Sequence, residues 1–472
     1  EKTGIVGGID ELGPAVTTTD NNSYSHNYGV ESYLARINYG FKSRYYIDAS
    51  WRTDGSSRFH PSDRWGHFWS VGASWRISEE QFMENTRQWL DNLTLKVSYG
   101  VQGNDNLGTY YAWQGLYDYT WPNATDAGAF VDKLENRKVT WEKNGNLNAG
   151  IEATMFGGRL GVSVEYYNRK TRDMLLNSPL PISTGFTGFN DNVGSLRNQG
   201  LEVSLRGTIL DKRDFRWDAT LMGSFNRNKV LSLTGGQDVI TSGIRVIEVG
   251  RPIYTFYLPK TAGVDPATGK QLYYAYWTQT VNDEGTLVNT RCDEYITDNV
   301  AMATLSKYYH ESREPKLFGS IGSTFTILKN IDVSFLTTYS IGGWVYDGLY
   351  NGSMYVQYAG NNWHKNAKRR WQKPGDKTDV PMLEVGGSYA TTSNSLIDAS
   401  YFAIKNITVG YTLPKRWLKK IDIESLRIYA TLDNIAMFNH MDGMDPQYNF
   451  TGSVAYSYTP SRVIAFGIDL NF

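Results

Sequence analysis

Six tryptophans of this 472-residue chain, Trp113, Trp121, Trp141, Trp277, Trp363 and Trp371, sit among tyrosines in stretches without strand alternation. Aromatic faces in a wet vestibule suit stacking against sugar rings and equally suit peptide side chains. Trp113, Trp121, Trp277, Trp363 and Trp371 are therefore the candidate ligand contacts; the competing reading for any one ring is that it packs a loop. No other chemistry competes. The six histidines (His26, His60, His67, His310, His364, His440) are scattered singly, with no metal-like partner at short spacing. The single Cys292 lies in TRCDEY without a nearby histidine and reads as incidental. GVDPATGK (263–270) has the wrong glycine spacing for a phosphate loop and reads as a loop hairpin. DPQYNF and VNDEGT carry oxygens that Ca²⁺ can use, but polar turns use the same residues, so no metal and no cofactor is expected. RTDGSSR (52–58) reads first as a rigid hairpin loop at an outer mouth and second as a substrate contact. No catalytic constellation is present, and an enzyme is not expected.

Strands must position these loops. The chain closes on RVIAFGIDLNF (462–472), in which Ile464, Phe466, Ile468, Leu470 and Phe472 alternate with Ala465, Gly467, Asp469 and Asn471. Strand side chains alternate between two faces, so this stretch has one apolar and one polar face. The same alternation places Tyr45, Ile47, Ala49 and Trp51 against Tyr46, Asp48, Ser50 and Arg52, and recurs over 34–39, 67–76, 93–99, 147–155, 160–166, 201–205, 215–225, 321–327, 331–339, 407–413 and 426–432. That predicts thirteen strands, most of about 9 to 12 residues, near the length that crosses a bilayer at a tilt.

Composition agrees. Aromatics make up 14% of the chain, with 33 Tyr, and 46 Gly outnumber 14 Pro, a balance that suits pleated surfaces and turns. A net charge of -1 gives no basic excess to attract nucleic acid. No apolar run approaches the roughly 18 residues of a membrane helix. The opening EKTGIVGG lacks the features of a signal peptide, so either a leader has been removed or the chain begins inside a longer one.

The expected connections fall near 40–43, 53–66, 77–92, 103–146, 156–159, 175–199, 210–214, 227–316, 328–330, 342–401, 414–424 and 438–460, alternating between a shorter and a longer set. In an up-and-down antiparallel sheet every second connection lies on one side, which is the asymmetry of a transmembrane barrel with long outer loops and short inner turns. With the long loops outside, Trp51, Tyr99, Tyr166, Phe225 and Tyr339 fall at the outer ends of apolar faces, and Tyr45, Trp75, Tyr411 and Phe472 at the inner ends. Amphipathic rings favour the headgroup layer, so two girdles are expected. A soluble sandwich or propeller would show shorter or more regularly spaced strands. Asp48, Arg52, Lys96, Glu152, Glu165, Glu202, Arg206, Asp218, Asp332, Arg427, Asp433 and Asp469 occupy the other face; unpaired charges cannot sit in a dry core, so the interior is expected to be wet or packed against a polar domain.

The runs SYLARINYGFKSRYYIDASWRTDGSSRF, WRISEEQF, TGFTGFNDNVGSLRNQGLEVSL, VGRPIYTFY, YFAIKNITVGYTLP and RIYATLDNIAMFNHMDGMDPQ resemble the SusC/RagA family of TonB-dependent outer-membrane transporters, in order along nearly the whole chain. The resemblance implies an all-β antiparallel transmembrane barrel of 22 strands in the outer membrane of a Gram-negative bacterium, an N-terminal plug, a TonB box and a SusD-like surface lipoprotein acting as lid. Plug, TonB box and about nine strands are not found here, so residues 1–472 look like the C-terminal portion of such a barrel, coupled to TonB through a missing N-terminal part. Three expectations follow. The cargo is a glycan oligomer, with peptide import as the alternative and a passive porin or adhesin as a different class. Loops 227–316 and 342–401 exceed the roughly 15 residues beyond which loops usually carry function and form the platform for the lipoprotein. The edges 31–39 and 461–472 are not joined to each other, because an odd number of strands does not close a bacterial barrel.

Overall fold

The computed structural model describes residues 2–3, 17–18, 25–119, 126, 128–233, 238–354, 362–384, 389–419, 423–441, 443–447, 450–454 and 458–472, with backbone alone at 2–3 and 17–18. Trp121 and most of the loop expected over residues 1–30 lie outside the described residues.

Thirteen strands form one sheet: β1 Val30–Phe41, β2 Tyr45–Ser56, β3 Trp65–Arg76, β4 Leu90–Asn104, β5 Glu142–Met155, β6 Leu160–Arg172, β7 Ser195–Lys212, β8 Phe215–Ser232, β9 Leu317–Ile327, β10 Ile331–Ile341, β11 Tyr401–Thr412, β12 Ser425–Asn439 and β13 Val463–Asn471. Their spatial order is their chain order, ending on β1 at one side and β13 at the other. The connections on one side are 42–44, 77–89, 156–159, 213–214, 328–330 and 413–424, and those on the other are 57–64, 105–141, 173–194, 233–316, 342–400 and 440–462; the second set is the longer except at 57–64, which is shorter than 77–89 and 413–424. The number of strands and the rhythm of connections match expectation. Six strands run longer than the 9 to 12 residues expected: β4, β5, β6 and β12 span 13–15 residues, and β7 and β8 each run 18.

By contact density the chain divides into two units, 1–152 with 165–199 and 229–240, and 153–164 with 200–228 and 241–472. In the first, the register places Tyr39, Ile47, Ala73 and Val97 in one row across four strands, and Asn38, Asp48, Gly72 and Ser98 in the next. One row is apolar and its neighbour polar, as a pleated sheet between two solvents requires. On the polar face Lys96 Nζ meets Glu152 Oε1 at 2.6 Å; both side chains remain half exposed, so the pair contributes only about 0–1 kcal/mol. Above this wall Phe59, Phe68, Ala112, Val139 and Trp141 form a buried cluster, with Trp141 5.4 Å from Phe59 and 5.3 Å from Phe68 in tilted and edge-on contacts, each worth about 0.5–1.5 kcal/mol beyond burial. Phe68 fits because position 103 is glycine: a Cβ there would lie 2.1 Å from its ring.

The second unit repeats the alternation. Phe335, Ile407, Leu432 and Ile464 share one row, as do Val333, Val409, Ala430 and Phe466. Ile464, Phe466 and Ile468 are 65–82% exposed, a continuous apolar surface that only hydrocarbon or another protein can cover. Arg427 on the opposite face bridges two carboxylates, with Nη2 2.6 Å from Asp332 Oδ2 and Nη1 3.3 Å from Asp469 Oδ2. It reaches Asp332 across β11 because residue 410 there is glycine, whose Cβ would lie 2.5 Å from both Arg427 Nη2 and Asp332 Oδ1.

The long connections of this unit, read from sequence as loops, are folded. Val239–Ser242, Arg245–Glu248, Thr255–Pro259 and Lys307–Ser312 form a four-stranded sheet; Thr261–Val264, Gln271–Val281 and Leu287–Thr297 form a three-stranded one. Trp344–Asp347 pairs with both Leu396–Asp398 and Ser453–Val454. Small buried clusters hold them, among them Phe256, Leu258 and Tyr346, and Val345, Ala399, Met441 and Val454.

Candidate functional site

The turn chemistry separates structural residues from free ones. In GVDPATGK, Asp265 accepts from the Ala267 amide (2.9 Å) and the Thr268 hydroxyl (2.6 Å), and in VNDEGT Asn282 accepts from the Glu284 and Thr286 amides. Asp445 of DPQYNF accepts from the Gln447 amide at 2.8 Å. Among the described residues no three His, Cys, Asp or Glu side chains converge as a metal set. RTDGSSR ends in a lock: the Arg58 guanidinium lies 4.6 and 5.0 Å from the Tyr28 and Tyr110 ring centres and 3.2 Å from Asp105, which also accepts from the Tyr28 and Ser56 hydroxyls.

The four candidate tryptophans among the described residues stand in separate surroundings. Trp113 stands edge-on to His60 at 5.1 Å and packs on the Phe59–Trp141 cluster. Trp371 donates its indole N–H to the Pro266 carbonyl at 2.9 Å, and its ring covers Gly269, where a Cβ would lie 2.5 Å away. Both rings hold loops together. Trp277 lies opposite Arg291 on the three-stranded sheet and is half-buried. Trp363 is exposed beside Met354, Ala367 and Val380.

Sequence reasoning missed a network of tyrosines and cations in the same loop sheets. Arg251 lies 3.7 Å from the Tyr309 ring centre, Tyr309 is 4.9 Å from Tyr257, Lys260 lies 4.4 Å from Tyr274, and Arg291 5.2 Å from Tyr276. Such contacts contribute about 0.5–1 kcal/mol each at exposed sites. Burial, and for Tyr308 the neighbouring Glu294, push the Tyr276 and Tyr308 phenols well above their usual range, so both stay protonated donors. The signal was present: YTFYLPK, YYAYW and KYYH space their tyrosines so that strand pairing stacks them in rows.

Two loop carboxylates are held above their usual range by burial: Glu314, which accepts from the Asn228 amide, and Asp347, which accepts from the Tyr350 amide. A carboxyl with a raised folded pKa binds its proton more tightly folded than unfolded. Its stabilising contribution is therefore present below the unfolded value of about 4 and is lost as pH rises through the folded one. Asp347→Asn keeps the acceptor and removes the charge. It is expected to flatten the pH dependence of the thermal unfolding of the receptor between about pH 4 and 7; an unchanged slope would contradict the assignment.

On the apolar face, Trp51 and Trp69 are paired in register and Trp69 lies 5.6 Å from Tyr99, toward the long-loop end. Tyr45 lies 6.4 Å from Trp75 toward the short turns. Tyr339 donates its hydroxyl to the Met222 carbonyl at 2.9 Å; Tyr166 and Tyr411 are exposed on their strands, and Phe472 follows β13. A further aromatic group near the short turns went unread, with Phe325 5.7–6.1 Å from Phe215, Trp217 and Phe335.

The sequence matches, over residues 3–435, the family described as TonB dependent receptor-like, beta-barrel. The chain belongs to the TonB-dependent receptor β-barrel family. It is 28% identical to the TonB-dependent receptor SusC of Bacteroides thetaiotaomicron over 96% of this chain and 45% of that protein, and 28% identical to TonB-dependent receptor P26 of Formosa agariphila over 97% of this chain and 47% of that protein. The structure of the RagAB peptide transporter superposes with a TM-score of 0.81 at 29% identity, covering 97% of this chain and 49% of that one. The chain thus spans about half the length of the relatives it matches. Membership makes the apolar face the lipid-facing surface of an outer-membrane barrel and the polar face its interior.

Proposed function

We propose that the chain is the C-terminal wall and outer-loop portion of an energised importer that takes up glycan oligomers across the outer membrane. The observation that carries this reading is that similarity to SusC and to the RagAB peptide transporter covers 96–97% of the chain, so it runs through the folded outer loops as well as the strands. Those loops present aromatic faces and paired charges at one mouth of the wall. Import of peptides is the second reading, favoured by the likeness to RagAB. No step of chemistry is assigned to the chain: it binds cargo and lines its path, while TonB, engaged through the N-terminal part of the full receptor, supplies the pull. Trp51, Tyr99, Tyr166 and Tyr339 would lie at the outer membrane interface and Trp75, Tyr411 and Phe472 at the inner one.

A SusD-like surface lipoprotein is the proposed partner, and segments 233–316 and 342–400 its platform. Purification of the full receptor in mild detergent should yield a native mass that includes this second chain. Deleting most of 342–401 should weaken the association by about tenfold or more. Recovery of the receptor alone, with an open conductance, favours a passive pore instead.

A further inference from the structure

A cleft of about 570 Å³ opens beside the strand Lys307–Ser312, walled by Arg251, Tyr309, His310, Glu311, Trp344 and Ser393. Its size falls within the roughly 300–1,000 Å³ of small-ligand sites. The groups around it differ in what they have left to offer. The Arg251 guanidinium lies over the Tyr309 ring, 3.7 Å from its centre, and gives its Nε–H to Glu248 Oε2 at 2.7 Å, which holds the guanidinium in place and matches its charge while leaving both Nη groups without a partner among the described residues. His310 donates Nε2–H to the Leu258 carbonyl at 3.2 Å; burial holds its pKa below the usual histidine value, so the ring is neutral at pH 7 and Nδ1 remains an acceptor. Glu311 is exposed and has no partner among the described residues. Trp344 packs on the Phe256–Leu258–Tyr346 cluster and lends the cleft apolar surface.

We propose that this cleft is a subsite for an uncharged oligosaccharide, in which Glu311 and His310 Nδ1 accept from sugar hydroxyls, Arg251 Nη and the Ser393 hydroxyl donate to sugar oxygens, and Trp344 with Tyr309 supplies contact to the apolar ring edges. A sugar presents donors and acceptors around every ring and so uses both kinds of group at once. The charge pattern selects among sugars. Of the charges that line the cleft, the Arg251 guanidinium is already matched by Glu248 and Glu311 has no counterpart among the lining residues, so a uronate, sulfate or phosphate beside it would meet like charge. The inference rests on the glycan-importer reading and narrows it to uncharged chains.

The test uses the full receptor with its co-purifying lipoprotein, titrated calorimetrically with maltohexaose, laminarihexaose, xylohexaose and mannohexaose, with a hexagalacturonate, and with a tryptic peptide pool. At least one uncharged hexasaccharide should bind, and Glu311→Ala should weaken it by about tenfold, the loss expected for one hydrogen bond to a charged group, at an unchanged melting temperature. Glu311→Arg should lose the same ligand and gain affinity for the hexagalacturonate. Equal affinity of wild type and Glu311→Ala for the uncharged sugar overturns the site and leaves the importer reading standing. Binding of the hexagalacturonate or of peptides alone, lost in Glu311→Ala, overturns the ligand class. Binding of no probe by wild type counts against the site and the glycan reading together.

Discussion

Val97→Arg is expected to remove nearly all folded receptor from the outer membrane, while Ser98→Arg, one residue along the same strand, leaves it near the wild-type level. Val97 shares its row with Tyr39, Ile47 and Ala73, and Ser98 shares the next with Asn38, Asp48 and Gly72. An arginine on the lipid face near mid-bilayer costs about 2–4 kcal/mol, and each ~1.4 kcal/mol is a factor of ten, so folded receptor should fall at least about tenfold. At position 98 the new cation joins the polar face, in the row that holds Asp48. Surface labelling after outer-membrane isolation reads both outcomes. Loss in Ser98→Arg alone would show that the faces have been assigned the wrong way round, and equal levels of the two variants would show that neither face is set apart by lipid.

Arg427→Met is expected to lower the stability of the wall by about 2 kcal/mol. The guanidinium gives hydrogen bonds to Asp332 through Nε and Nη2 and to Asp469 through Nη1. Bonds to charged groups contribute about 1.5–3 kcal/mol each, a figure to be discounted because these side chains keep 29–55% of their exposure. Methionine retains much of the aliphatic volume but leaves two carboxylates without their shared cation. The combination Arg427→Met with Asp332→Asn and Asp469→Asn should recover most of the loss, since no unpaired charge remains. Midpoints of urea unfolding in detergent separate the cases; a triple variant as weak as the single one would mean that Arg427 acts through packing.

The wall was legible because its physics is periodic. Where one face meets lipid and the other meets water, every second residue must be apolar, and stretches such as 45–51 and 462–472 state this without any long-range information. The rule breaks where the wall stops separating two solvents. β8 continues to Ser232, past the alternation read over 215–225, because its outer part is packed by other segments of the same chain: Asn228 is buried, its amide donating to Glu314 and its side-chain oxygen accepting from the Ile253 amide. Pairing goes on while polarity no longer alternates. The loop sheets were missed for a related reason, since YYAYW places aromatic residues on both faces and has no polar rhythm. Trp371 was read as a possible ligand contact because residue type is all that sequence offers; that its N–H meets the Pro266 carbonyl, 105 residues away, is set by the fold. Glu311 and Arg251 were equally invisible, since what marks them is which neighbours they have.

The claim at the centre is that this wall belongs to an energised importer and not to a passive pore. The direct measurement is accumulation of a labelled oligosaccharide cargo in the periplasm of cells carrying the full receptor, with and without TonB. Accumulation should fall to the level of receptor-deleted cells when TonB is absent. Undiminished accumulation without TonB would contradict the account.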